Sequence, residues 1–460
     1  MGYAMLFRPA LTAAFAAAVF ATASFAGPAA AVEIQQLTSP KGIKFWYERQ
    51  ADLPIVAVSA TFVNAGAATL PLDKEGLAYL VSILLDEGAG DMVSAKFQAY
   101  ADEINIDMDF NAGTDNFDVG FRTLSSERDN AFKLVGLALT QPRFDAEAVE
   151  RMRENQLDDL NRRQASAGDM LNRAWAKAAF GDHPYGRNIR GNPGTVEKFT
   201  VADLRDFVAT RFTRDKLVIG AVGDVDAAEI SRLIDLAYGG LPATGPRLDP
   251  PELVVAPPAD RDDITIVRQN IPQSTVIFGT RGLKRDDPDY YAATLLNTVL
   301  GGSSFMSRLW DAVRAQRGLA YSVATFINPM QHSSYFMGQV GTNNDQVKVS
   351  YDVIRAEIDR VAREGVTQKE LDDARSYVLG SFAMSMDTNR RLAGVLASIQ
   401  IAHLGPDYID HRADFYGKVT LDDIRRVARR LFWGDPNATE GTVRLITAIS
   451  GNPTGFDKAN

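Results

Sequence analysis

Few residues in this 460-residue sequence could do metal or nucleophilic chemistry. The sequence has no Cys, which excludes a disulfide framework, a thiolate nucleophile and a Cys-ligated zinc or iron–sulfur site. Its four His lie at positions 183, 332, 403 and 411. No two of them have the HxH, HxxH or HxxEH spacing that places two imidazoles on one metal ion. A metal site would have to be assembled from these dispersed positions.

The sequence around the His residues favours structural roles. His183 precedes Pro184 in a Gly-flanked loop, which is typical of a turn. His403 and His411 would share a helix face only if the helix continued through 405–406, and the Gly-Pro pair there forbids it. An independent enzyme with a relocated metal site is therefore disfavoured.

Composition sets the class of protein. With 46% hydrophobic and 23% charged residues, the chain resembles soluble globular proteins of about two to four domains. Its net charge of −9 argues against a nucleic-acid partner, because phosphate binding needs a surplus of Lys and Arg.

The N-terminus has the features of a signal peptide. Arg8 precedes an uncharged, Ala-rich stretch from Pro9 to Ala26, and small residues continue to Ala31. We expect cleavage after Ala26 or Ala31, so that residues 1–31 are removed. The alternative is an uncleaved anchor, but its Ala content makes it a weakly hydrophobic span. Export suits a Cys-free chain, and we expect a periplasmic protein with no stable membrane span after cleavage.

The rest of the chain alternates between strand and helix patterns. A Pro/Gly-rich run at 239–258 predicts an interdomain linker, because it cannot continue a helix or a central strand. The expected strands are Ile43–Tyr47, Ile55–Phe62 and Phe117–Phe121, and the expected helices are 76–85 and 145–163.

The two halves on either side of the linker resemble each other. Thr200 and Thr420 each precede a helical pattern, followed by an apolar strand that ends at Gly223 or Gly451. We interpret this as a tandem duplication of one α+β unit. The expected domains are 32–238 and 259–460, each a mixed or antiparallel sheet with helices packed on one side.

Several strings of this sequence resemble the pitrilysin/insulinase family of zinc metallopeptidases. They are Gly76-Leu77-Ala78, His183-Pro184-Tyr185-Gly186 and the segment Ser307–Val323. The resemblance covers nearly the whole chain after the leader. It implies that the two domains form half of a clam-like shell around a peptide.

The zinc-binding motif of that family is absent. In active members HxxEH follows Gly-x-Ala, and its two His hold Zn²⁺ while its Glu acts as the general base. The same frame here carries Tyr79, Ser82 and Ile83, and the family's distal Glu ligand aligns with Asp159. One carboxylate cannot hold zinc alone. We therefore expect no metal or other cofactor in this chain and no peptide hydrolysis by the chain alone.

The second half retains a pair that the family uses on substrate. Arg314 and Tyr321 have the seven-residue spacing of an Arg and a Tyr that stabilise the tetrahedral intermediate in that family. Gly318 is expected to end the helix of Arg314, so both donors could converge near its terminus. Without the resemblance, a surface charge and a strand-face aromatic would be the simpler interpretation. Arg317 lacks the required spacing.

A second substrate contact is open to two interpretations. Tyr335–Gly341 is a predicted strand, and an exposed edge there could add a peptide by main-chain hydrogen bonds, with Tyr335 and Gly338 as substrate-binding residues. An ordinary internal strand explains the pattern equally well.

Together these features predict the non-zinc-binding subunit of an exported heterodimeric metallopeptidase that cleaves oligopeptides. A homologous HxxEH subunit would carry the zinc, while this chain would supply Arg314 and Tyr321. The alternative is a catalytically inactive peptide-binding or structural scaffold that self-associates.

Overall fold

The computed structural model describes residues 33–303 and 305–456. The predicted signal peptide, residues 1–31, lies outside the described residues. From Ile34 onward the chain forms one compact unit. No helix in this part of the chain is both long enough and apolar enough to cross a membrane.

The strands form two large sheets and one short hairpin. In chain order they are β1 (Gln35–Thr38), β2 (Lys44–Arg49), β3 (Ile55–Phe62), β4 (Gly88–Ala89), β5 (Met92–Val93), β6 (Asp107–Ala112), β7 (Phe117–Leu124), β8 (Leu217–Gly223), β9 (Asp263–Arg268), β10 (Gln273–Arg281), β11 (Ala320–Pro329), β12 (Ser334–Asn343) and β13 (Ile446–Gly451). β4 and β5 form the hairpin.

Helices occupy most of the chain between the strands. They are α1 (Leu77–Ser82), α2 (Ser94–Glu103), α3 (Arg128–Thr140), α4 (Ala146–Gln164), α5 (Ala167–Phe180), α6 (Pro193–Val196), α7 (Val201–Arg211), α8 (Ala227–Tyr238), α9 (Tyr290–Asn297), α10 (Val347–Glu364), α11 (Gln368–Met384), α12 (Asn389–Ile401), α13 (Tyr408–Gly417) and α14 (Leu421–Phe432). Two π-helical turns, Thr298–Gly302 and Trp310–Ala315, lie between α9 and β11.

The first sheet has six strands in the order β1-β2-β8-β3-β7-β6, and the second has five in the order β9-β13-β10-β12-β11. The five strands of the second sheet match β2-β8-β3-β7-β6 of the first, in which β1 is an additional edge strand. Each contains one parallel pair, β2 with β8 and β9 with β13, and the other pairs are antiparallel. The matching order, with the parallel pair at the same place, supports the duplication inferred from the sequence.

Local sequence signals identified many elements. β3 has the predicted bounds, and α4 covers the predicted helix within one residue. Thr200 and Thr420 both form capping boxes, each accepting a hydrogen bond of 3.2 Å from the backbone N–H of the Asp three residues later. α1 ends at Ser82, shorter than predicted, and a run of turns follows it.

Each half packs its own helices on one face of its sheet. The first core combines β2, β3, β7 and β8 with α1, α3, α4, α7 and α8. The second core combines β10 to β13 with α9 to α11 and α14. Side chains alternate between the two faces of a strand, so the opposite face of each sheet needs a separate cover.

That cover is exchanged between the halves. α5 of the first half packs on β10 and β13, and α12 of the second half packs on β3 and β8. Trp175 in α5 donates its indole Nε1–H to the carbonyl oxygen of Ile446 over 3.2 Å. Gln400 in α12 donates its amide to the carbonyl oxygen of Ile219 over 2.9 Å. The sequence boundary therefore separates the sheets but not the helices.

Glycines permit this close approach. A Cβ at Gly220 in β8 would collide with the carbonyl oxygen of Ala393 in α12. A Cβ at Gly279 in β10 would lie 2.8 Å from the indole ring of Trp175. Any larger residue at either position would push the exchanged helix away from the sheet.

The Pro/Gly-rich segment contains no helix or strand between Tyr238 and Asp263. It is nevertheless fixed in place. Val255 is fully buried with residues of both halves, and the Leu253 N–H donates to the carbonyl oxygen of His332 over 2.9 Å.

One sequence-based hypothesis requires correction. Tyr335–Gly341 lies in β12, which pairs with β10 on one side and β11 on the other, so no free edge exists there. Tyr335 packs against Trp175 of α5 at a ring-centroid distance of 5.2 Å. Gly338 faces the ring of Phe278 so closely that a Cβ would collide with it. Neither Tyr335 nor Gly338 can bind a peptide by strand addition.

The helix exchange predicts a difference between two strand glycines. We expect Gly220→Ala to destabilise the fold by about 1–3 kcal/mol or more, because the added methyl must displace the backbone of α12. Gly341→Ala in β12 is the matched control, since its Cβ would meet no atom within 4 Å. Thermal unfolding of both variants measures the effect. An equal loss of stability in the two variants would show that the close contact between Gly220 and α12 does not determine the cost of the substitution.

Candidate functional site

The helix that aligns with the zinc-binding helix presents no metal ligands. Ser82 is buried, and its hydroxyl donates to the carbonyl oxygen of Tyr79 within the same helix over 2.8 Å. Ile83 packs against the first core. The half-buried ring of Tyr79 is the remaining side chain of the three.

The structure brings Tyr79 and Asp159 together around an arginine. The guanidinium carbon of Arg190 lies 4.8 Å from the centroid of the Tyr79 ring. Its Nε lies 3.1 Å from Oδ2 of Asp159 in α4, and Arg163 donates to the same oxygen over 2.8 Å. Sequence reasoning missed Arg190, because a single Arg in a loop 31 residues after Asp159 carries no spacing signal.

These residues do not fit zinc. A structural or catalytic zinc site needs three or four N, O or S ligands, and among the described residues no group of three His, Asp or Glu is close enough to hold a metal ion. His183 is a turn residue, as predicted: its Nδ1 accepts a hydrogen bond from the Tyr185 N–H over 3.2 Å. His332 lies 3.2 Å from Glu252.

Arg314 lies at the end of a helical segment, as predicted. The π-helical turn Trp310–Ala315 holds it, and Gly318 ends the segment with a φ of +62°. The Gly318 N–H donates to the Arg314 carbonyl oxygen over 2.9 Å. The Arg314 guanidinium stacks on the indole of Trp310 at 5.7 Å. Stacking leaves the edge of the guanidinium and its N–H groups exposed.

Tyr321 lies at a β-bulge near the start of β11. Ala320 pairs with Thr342 and Ser322 with Gly341, so Tyr321 is the extra residue of the strand. A bulge reorients its residue, and the Tyr321 side chain is 75% exposed.

Arg314 and Tyr321 line the same cleft. Its volume is about 390 Å³, and Gly318, Thr342 and Asn343 complete it. In the described part of the chain, neither side chain has a hydrogen-bond or ion-pair partner. A cation and a phenol with free donors thus line one cleft, and donors of this kind can stabilise a negatively charged oxygen.

The segment before Arg314 is anchored by a partly buried ion pair. Arg308 donates two hydrogen bonds, of 2.6 and 2.7 Å, to the carboxylate of Glu370 in α11. Burial opposes ionisation of Glu370, but hydrogen bonds from Arg308 and from Thr367 outweigh it and lower its pKa to about 2. The pair fixes the start of the Arg314 segment to the second core.

Comparisons with known proteins identify related sequences and folds. Residues 198–378 match the family model described as the peptidase M16 inactive domain. Over this segment the chain is similar to the M16 peptidase family. This confirms the predicted pitrilysin/insulinase relationship, and with HxxEH absent the chain is an M16 homologue that lacks the active motif.

Similar proteins include both presumed proteases and a non-peptidase. An uncharacterized zinc protease of Streptomyces coelicolor is 27% identical over 413 residues, which is 88% of each chain. A protein of Helicobacter pylori named a non-peptidase homolog is 24% identical over 363 residues, covering 78% of this chain and 82% of the relative.

Solved structures confirm the M16 fold. The peptidase M16 inactive domain from Pseudomonas fluorescens has a TM-score of 0.83 and 24% identity, covering 92% of this chain and 98% of that one. A protease from Helicobacter pylori has a TM-score of 0.79 and 16% identity, covering 92% and 100%. The predicted fold class, tandem α+β domains forming half of a clam-like shell, is correct.

The ion pair of Glu370 predicts a pH-dependent stability. Its pKa is about 2 in the folded protein against 4.5 for an unperturbed Glu, so its contribution is complete above about pH 4.5 and is lost as the pH falls toward 2. We expect Glu370→Gln to cost about 1–3 kcal/mol at pH 7 and progressively less below pH 4.5. Thermal unfolding of wild type and variant from pH 7 to 3 measures the difference in stability between them.

Exposed Glu440 provides the control, because Glu440→Gln should leave stability unchanged at every pH. A Glu370→Gln deficit that stays constant down to pH 3 would contradict the low pKa.

Proposed function

We propose that this chain is the non-zinc-binding subunit of an exported heterodimeric zinc metallopeptidase that cleaves oligopeptides. Arg314 and Tyr321 would act on a peptide bound at the zinc of a homologous HxxEH subunit. The observation that carries the proposal is the cleft at β11, which is lined by a guanidinium and a phenol whose donors are free in the described part of the chain.

The two side chains suit the transition state of peptide hydrolysis. In the partner subunit, zinc and a Glu would activate the attacking water. The peptide carbonyl oxygen then gains negative charge, and the Arg314 guanidinium and the Tyr321 hydroxyl can donate hydrogen bonds to it. Stacking on Trp310 reduces the freedom of the Arg314 side chain, so less entropy is lost when it binds.

The first half explains why a partner is needed. Tyr79, Ser82 and Ile83 supply neither an imidazole nor a general base, and Asp159 is already paired with two arginines. On this proposal the chain carries no cofactor and hydrolyses no peptide alone.

A scaffold function is the second candidate. The Helicobacter pylori relative is named a non-peptidase homolog, which favours a protein that kept the fold without catalysis. Such a protein would associate with itself, bind no zinc-containing homologue, and tolerate loss of Arg314 or Tyr321.

Mixing the purified chain with its HxxEH homologue and measuring cleavage of a fluorogenic peptide separates the two candidates. We expect Arg314→Ala and Tyr321→Phe each to lower the rate of the mixture about 100-fold, the usual effect of removing one oxyanion donor. Arg317→Ala and Tyr377→Phe are controls at exposed side chains that do not line the cleft, and they should retain the rate.

If Arg314→Ala and Tyr321→Phe behave like their controls, the catalytic proposal is wrong. If the chain also self-associates and ignores the homologue, the scaffold function holds.

The proposal includes export through the leader at residues 1–31. Expressed in a bacterial host, the chain should accumulate in the periplasmic fraction with an N-terminus at Gly27 or Val32. Mass spectrometry of the intact protein identifies the terminus. A chain that begins at Met1 and sediments with membranes would contradict cleavage.

A further inference from the structure

We propose that Arg190 acts as a built-in cation at the lost zinc site, where it joins α4 to α1 and keeps divalent metal out. This inference concerns the first half alone and does not depend on a catalytic role for Arg314 and Tyr321. It rests on three observations: the charges around Asp159, the face of Tyr79 and the backbone that holds Arg190.

The carboxylate of Asp159 is satisfied by guanidinium groups. Oδ2 accepts from Arg163 over 2.8 Å and lies 3.1 Å from Nε of Arg190, while Oδ1 lies 3.8 Å from Arg162. Three quarters of the Asp159 side chain is removed from solvent. A carboxylate in that position requires a positive charge, and Arg190 brings one from a separate element of the fold.

Tyr79 recognises the same cation by its ring face. A His at this position offers a nitrogen lone pair to a metal, whereas the ring of Tyr79 offers a π face to the guanidinium at 4.8 Å. Tyr in place of His at position 79 therefore suits a guanidinium in place of a metal ion. Arg190 lies between Tyr79 and Asp159, two of the positions that align with zinc ligands.

The backbone of Arg190 is clamped to the start of α1. Gln156 is 1% exposed, and its amide donates to the carbonyl oxygens of Arg190 over 2.7 Å and of Gly76 over 3.2 Å. A Cβ at Gly76 would lie 2.7 Å from the Arg190 carbonyl oxygen, and one at Gly191 would collide with the carbonyl oxygen of Glu75.

The side-chain amide oxygen of Asn188 also accepts from the Arg190 N–H, over 3.1 Å. The backbone of Arg190 is thus held in one position, from which the side chain contacts Tyr79. A cation held this way costs little ordering entropy when it pairs with Asp159.

This arrangement predicts that restoring the motif will not restore metal binding. The test uses the variant Tyr79→His/Ser82→Glu/Ile83→His/Asp159→Glu with Arg190 retained, and the same variant with Arg190→Ala. Equilibrium dialysis against ZnCl₂ with atomic absorption gives the zinc content, and circular dichroism checks folding. We expect one zinc per chain only after Arg190→Ala, with at least about tenfold tighter binding. Equal affinity in both variants would overturn the proposal.

A second measurement decides the case in which neither variant binds zinc. Asp159→Asn and Arg190→Gln should each lower the melting temperature of the otherwise native chain by about 2–4 °C. The double variant should lose less than the sum, because the two residues share one interaction. Arg173→Gln, an exposed neighbour on α5, should have little effect. Additive losses for the pair, or no loss at Arg190, would show that Arg190 does not act as the cation of this site.

Discussion

The exchange of α5 and α12 is the interaction on which the rest of the structure depends. Each sheet has two apolar faces, and each half supplies helices for only one of them. The second face is covered by the other half, through Trp175 on one side and Gln400 on the other. In both hydrogen bonds the acceptor is a carbonyl oxygen of a strand. Each exchanged helix also packs over a glycine of the sheet, where a larger residue would collide with it. The two halves are therefore held in one arrangement by side-chain and backbone contacts that neither half can make alone.

That arrangement gives the two equivalent sheet edges different chemistry. β6 and β11 occupy matching edges of the two sheets, so the duplicated fold presents two similar platforms. At β11 a bulge and a helix end place exposed donors at one cleft, and among the described residues the Arg314 and Tyr321 side chains have no hydrogen-bond partner. In the first half the charged groups near α1 are paired with one another. The two halves therefore share a fold, but they differ in which of their polar groups are left without a partner among the described residues.

The sequence predicted what local patterns determine. Alternation gave β3, the two Thr caps gave α7 and α14, and Gly318 marked the helix end before Tyr321, because each depends on residues close in the chain. Long-range features were not accessible. Nothing local distinguishes Trp175 as a core residue of the second half, or shows that β12 lies between two strands. The bulge at Tyr321 depends on register with β12, and Arg190 reaches Asp159 only after the loop folds onto Gly76. The candidate cleft was found through spacing, and the contacts of Arg190 with Tyr79 and Asp159 could be seen only in three dimensions.

A lost metal site leaves a physical problem that the remaining residues must solve. Without two imidazoles and a metal at these positions, the partly buried carboxylate of Asp159 needs another positive charge, and space is left next to the helix. If every position that aligns with a zinc ligand carried a hydrophobic residue, the carboxylate of Asp159 would also have to be replaced. Here Asp159 remains, Arg163 and Arg190 supply the charge, and the Tyr79 ring fills the space and binds the guanidinium face. Because this solution joins α1, α4 and the 188–191 loop through polar contacts, the first half can keep the packing that the helix exchange requires. The cleft at β11 is then held in place by a half whose charged groups near α1 are paired with one another.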